Sequence, residues 1–120
     1  MSFREPDRLL RDISEAIELI ERFTAGMDFD TFRQDAKTVA AVERKLQVIS
    51  EAATRLGVEA EARYPKLPWR DMRGMGNWLR HQYERIELPA IWETVTEDLP
   101  ALKAALLIAL APPSADLTGP

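Results

Sequence analysis

The sequence predicts an all-α protein, a bundle of about four main helices joined by short connections. Two observations carry this. Apolar residues recur at steps of three and four through most of the chain, and no segment alternates apolar and polar residues as a half-buried strand would. Glycines and prolines fall mainly between the periodic stretches, where they punctuate rather than interrupt. At 120 residues the chain fits one domain with one core. Residues 1–111 are expected to form that domain and residues 112–120, rich in proline and small polar residues, a disordered tail.

The first helix is read from Leu9, Leu10, Ile13, Ala16, Ile17, Ile20 and Phe23, which share one face. Gly26 stops it. Met27 to Gln34 is a connector with room for a short helical turn, anchored by Phe29 and Phe32, and Asp35 is a cap for the second helix. In that helix Val39, Val42, Leu46, Ile49, Ala53 and Leu56 form a seam suited to another helix at a shallow angle. Gly57 marks its expected end, although the pattern can resume through Glu59–Arg63. Two prolines make residues 64–68 a loop, and Pro68 suits the first position of a third helix running from about Trp69 to Gln82. Gly74 and Gly76 weaken that helix by about 1 kcal/mol each relative to alanine. A last helix is expected over Pro89 to Ala111, with Ile91, Trp92, Val95, Leu99, Leu102, Leu106 and Leu110 inward and Pro100 kinking or restarting it.

Composition removes several kinds of chemistry. Without cysteine there is no disulfide scaffold, thiolate metal site or cysteine nucleophile. With one histidine, no pair of imidazoles can act in one chain. A net charge of −4 does not advertise a nucleic-acid binder. No apolar run nears the roughly 18 residues of a membrane span, and Met1 to Arg8 do not read as a signal peptide, so the expectation is a cytoplasmic protein with no membrane contact.

The charge is unevenly placed. Residues 63–85 hold six basic side chains against two acidic ones, a local +4, while the rest holds ten against eighteen, or −8. The only histidine, His81, lies in the basic segment. Arginine grips phosphate oxygens in a fork and an imidazole passes protons near neutral pH, which is the equipment of phosphodiester chemistry. A solvated basic face with one surface histidine accounts for the same charges. Helical spacing puts Asn77 one turn before His81 on the same face, with Arg80 about 100° round and Arg73 about two turns back. Tyr83 reaches the imidazole only if the helix frays. Trp78 reads as a core aromatic. Asp71 and Glu84 beside His81 are too weak a pattern to assign a metal.

The run Tyr64-Pro-Lys-Leu-Pro-Trp-Arg-Asp-Met-Arg-Gly-Met-Gly-Asn-Trp-Leu-Arg-His-Gln-Tyr83 resembles the core motif of HepT-like proteins, a branch of the HEPN superfamily. Residues 41–56 are similar to that family's second long helix, and residues 91–102 to its closing helix. The resemblance implies an HEPN-type bundle that forms a homodimer, with two motifs around a shared cleft. It also implies the toxin of a type VII-like toxin–antitoxin module, a ribonuclease cutting RNA with neither metal nor cofactor. The implied partner is a minimal nucleotidyltransferase that silences the toxin by adding AMP to the motif tyrosine. Carried over by position, His81 is the implied general acid/base, Asn77 its polar helper and Tyr83 the AMPylated residue. The motif arginine has no match, because Gly76 stands there. Arg73 and Arg80 are the candidates to take its place; otherwise the chain is a homologue that binds without cutting, or the clone carries an attenuating change. The alternative function is a non-catalytic helical subunit that binds a nucleotide or the nucleotidyltransferase.

Overall fold

The computed structural model describes residues 4–75 and 88–111, and among these no strand occurs. Helix α1 spans Arg4–Thr24, α2 Phe29–Gln34, α3 Ala36–Arg63, α4 Trp69–Gly74 and α5 Leu88–Glu93. A π-helical turn, Thr94–Asp98, joins α5 to α6, Leu99–Ala109. The all-α expectation holds. The expected tail, 112–120, and residues 76–82 of the expected third helix lie outside the described residues.

α1 begins five residues before its first periodic leucine, with Glu5 and Asp7 in its first turn, where carboxylates favour the helix dipole. Its inner face, Leu9, Leu10, Ile13, Ala16, Ile17 and Ile20, is buried. At the other end the Thr24 hydroxyl donates to the Ile20 carbonyl at 2.8 Å, and Gly26 takes a positive φ of 77°, which lets the chain turn away. The Asp28 carboxylate then accepts from the Thr31 amide, and the Thr31 hydroxyl accepts from the Asp28 amide. That reciprocal box starts α2 and drives Phe32 fully into the core, where its ring meets Trp92 at 4.8 Å.

Asp35 caps α3 as its position predicts, accepting from the Thr38 amide at 3.1 Å. All six seam residues, from Val39 to Leu56, are buried, mostly against α1. Truncating one of the larger ones to alanine should cost about 2–5 kcal/mol. Gly57 both ends and continues this helix. Its φ of 73° and ψ of −170° break the spiral, yet helical turns resume directly to Arg63. Pro68 sits one position earlier than expected, as the residue before α4, because its ψ of 72° is not helical.

The closing segment is interrupted where Pro100 predicts, and the interruption is a π turn rather than a kink. The Leu99 amide reaches back five residues to the Thr94 carbonyl. The widened turn lies just before the residue that has no N–H to offer. Ile91, Leu99, Leu102 and Leu106 are buried, and Trp92 and Val95 pack partly against the core. Leu110 departs from its predicted inward place. α6 stops at Ala109, and Leu110 follows it at φ −94° and ψ 0°, 39% exposed, with Leu107 and Ile108 also open to solvent.

Candidate functional site

Of the residues singled out by sequence, the structure describes Arg73. Gly76, Asn77, Arg80, His81 and Tyr83 lie outside the described residues. What is described is the frame on either side. Before the motif, α4 buries Trp69 and Met72, and Met75 follows them into the core. The Trp69 indole N–H donates to the Tyr64 carbonyl at 2.8 Å, fixing the start of α4 to the loop behind it. After the motif, Leu88 packs partly on the core and Ile91 is fully buried.

Arg73 is built into that frame. Its Nε donates to the Ala53 carbonyl at 3.2 Å, one Nη to the Gly57 carbonyl at 3.3 Å, and the other to the Glu61 carboxylate at 2.8 Å. The guanidinium carbon also lies 5.2 Å from the centroid of the Trp69 ring. In a regular helix the Ala53 and Gly57 carbonyls would accept from the amides of residues 57 and 61. The break at Gly57 disturbs that ladder, and the arginine fork meets both carbonyls. From the backbone side, the buried Ser50 hydroxyl donates to the Arg73 carbonyl at 2.7 Å. Arg73 therefore ties α4 to α3 on both sides of the break. Reaching toward a substrate would require it to give up these three bonds.

The basic segment thus divides in two. Arg73 is half-buried and neutralised by Glu61. Arg63, Lys66 and Arg70 are exposed and have no ion pair among the described residues. Those three are the uncompensated cations that the described part of the segment presents to solvent. On α3, one carboxylate oxygen of Glu43 is buried with no hydrogen-bond partner among the described residues, and that desolvation pushes its carboxyl up from the ordinary range. Among the described residues no group of histidine and carboxylate side chains is placed to hold a metal ion, and no helix is long and apolar enough to cross a membrane.

Sequence reasoning missed Ser50, Glu61 and Gly57 as the partners of Arg73. The signal was faint but present: a serine inside an otherwise apolar stripe, and a glycine four residues before a glutamate in a helix that keeps its period.

Comparison with known proteins adds what the frame alone does not give. The family described as "Ribonuclease HepT-like" matches residues 13–107. A protein of Thermococcus cleftensis named "Probable ribonuclease HepT" is 44% identical over 94 residues, covering 78% of this chain and 86% of its own. Two relatives provisionally named as RNases are more distant. One, from Methanocaldococcus jannaschii, is 33% identical over 103 residues, covering 86% of this chain and 94% of its own. The other, from Caldanaerobacter subterraneus, is 30% identical over 100 residues, covering 83% and 89%. No solved structure matches. With nearly the whole helical region matched, and in an all-α frame, the chain belongs to the HepT-like ribonuclease family.

Proposed function

We propose that this protein is the toxin of a type VII-like toxin–antitoxin pair, a ribonuclease that works without metal and is neutralised by AMPylation of Tyr83. The observation that supports the reading is the run from Tyr64 to Tyr83, in which Asn77, His81 and Tyr83 resemble the family's motif, inside the matched residues 13–107. In the proposed reaction His81 takes the proton from a ribose 2′-hydroxyl as that oxygen attacks the adjacent phosphorus. The bond to the 5′-oxygen breaks, leaving a cyclic phosphate and a 5′-hydroxyl that receives a proton. Asn77 orients the reacting groups. Two copies of the chain form the cleft. In silencing, the Tyr83 oxygen attacks the α-phosphorus of ATP on the partner nucleotidyltransferase, and pyrophosphate leaves.

Gly76 sets the expected strength of that activity. A missing preorganised charge at the transition state costs a factor of about 10²–10³ in rate. Arg73 is held by three bonds away from this task, which leaves Arg80 as the better substitute. The test is cleavage of RNA in the presence of EDTA by the parent chain, Gly76→Arg and His81→Ala. Gly76→Arg should cut at least a hundredfold faster than the parent, and His81→Ala should not cut. If Gly76→Arg fails to cleave, the catalytic reading is wrong.

The engagement of Arg73 also favours a second reading, in which the chain is a non-catalytic subunit for the nucleotidyltransferase. Incubation with the cognate partner and ATP, followed by intact mass, separates the two. An AMP increment absent from Tyr83→Phe supports the toxin, whereas a stable complex without the increment supports the binding subunit.

A further inference from the structure

At the end of the bundle where the loop after α3 meets α6, a groove of about 290 Å3 opens. Tyr64, Pro65, Leu67 and Ile108 give it apolar walls, and the exposed Arg63 and Lys66 line it as well. A neighbouring depression of about 540 Å3 shares Arg63 and Tyr64 and adds Arg11. Among the described residues, Asp7 is the one carboxylate lining either space. Arg11, Arg63 and Lys66 have no ion pair among the described residues, and the Arg63 guanidinium lies 5.5 Å from the Tyr64 ring centroid.

We propose that this groove holds one unpaired base of a single-stranded RNA, with Arg63, Lys66 and Arg11 on the flanking phosphates. The proposal rests on the reading that the chain acts on RNA, and it names a second contact, apart from Asn77, His81 and Tyr83, at the start of the same run. Size favours a single ring system, since the volume falls just below the usual 300–1,000 Å3 of small-molecule sites. Chemistry favours a nucleotide. Proteins that hold single strands pair an aromatic or apolar platform for the base with a basic track for the backbone. Charge favours a polyanion as well: Arg63 and Lys66 line the apolar slot, Arg11 lines the depression beside it, and none of the three has an ion pair among the described residues.

The test uses a fluorescein-labelled 12-nucleotide oligouridine with 2′-O-methyl groups, which cannot be cut by 2′-hydroxyl attack. Binding is followed by anisotropy from 20 to 200 mM NaCl. Arg63→Gln/Lys66→Gln should weaken binding at least tenfold and lower the salt slope by about 1.4, at ~0.7 for each phosphate no longer neutralised. Tyr64→Leu should weaken binding roughly five- to a hundred-fold and leave the slope unchanged. The ring can be removed without loss of the α4 anchor, because it is the Tyr64 backbone carbonyl that holds Trp69. Melting curves confirm that each variant is folded. Parent-like binding by both variants overturns the proposal, as does a parent that does not bind the oligonucleotide. The same holds if Ile108→Asp reduces the sedimenting mass to one chain while RNA affinity stays unchanged, since the groove then seats a second copy. In each of these cases cleavage by Gly76→Arg still decides the ribonuclease reading on its own.

Discussion

Gly57→Ala isolates the break in α3. At φ 73° and ψ −170° the residue occupies backbone space that is essentially restricted to glycine, and forcing a side-chain-bearing residue there costs of order 1–3 kcal/mol. Alanine returns about 0.4–1 kcal/mol by narrowing the unfolded ensemble. Among the described residues, a Cβ at this position meets nothing within 4 Å, so no steric term is added. The net loss is about 1–2 kcal/mol. For a chain of 120 residues that lowers the melting temperature by roughly 3–12 °C. Gly57→Asn should be no better than alanine, since asparagine tolerates the left-handed helical region but not this one. The assay is thermal and urea unfolding followed by helical circular dichroism. A Gly57→Ala chain as stable as the parent, with an unchanged urea slope, would show that α3 runs on unbroken and that the Arg73 clamp needs no break to fill.

The clamp has its own signature. Arg73→Gln should lose about 2–3 kcal/mol, the loss being limited by its partial exposure, and Glu61→Gln in the Arg73→Gln background should cost much less than Glu61→Gln alone in a double-mutant cycle. Additive losses would refute the pairing. Asp28 and Asp35 carry carboxyls held below the ordinary range by the amides they cap, at Thr31 and Thr38. A depressed folded pKa adds stability above the unfolded value near 4, and that contribution fades as pH falls through the folded value. Asp35→Asn should therefore shrink the drop in melting temperature between pH 5 and pH 2.5, and an unchanged drop would refute the assignment. Glu43 has the opposite sign. Burial raises its carboxyl, so its ionised form opposes folding at pH 7. Glu43→Gln should raise the melting temperature at pH 7, with the difference vanishing below about pH 4; a gain that persists in acid would refute this cause.

Much of this fold was legible from spacing. The seam Val39 to Leu56 and the face Leu9 to Ile20 are buried because one apolar residue per helical turn admits few other arrangements. Asp35 was legible because a carboxylate before a periodic run has a defined partner two or three residues on. Gly57 was only half legible. Periodicity reports which residues share a face, and a break that restores the same face leaves the period intact. Leu110 misled because periodicity does not say where the opposing surface ends. The candidate site was legible as a motif, whereas the role of Arg73 was not. Its three acceptors lie 12 to 20 residues back along the chain, and two are carbonyls that any residue could supply.

Met75 and Ile91 sink into one core from opposite ends of the span 76–87. Both flanks of those twelve residues are therefore anchored in the core by described side chains. A cavity cut at Met75 or Ile91 thus reaches that span from its flanks without altering any of its residues.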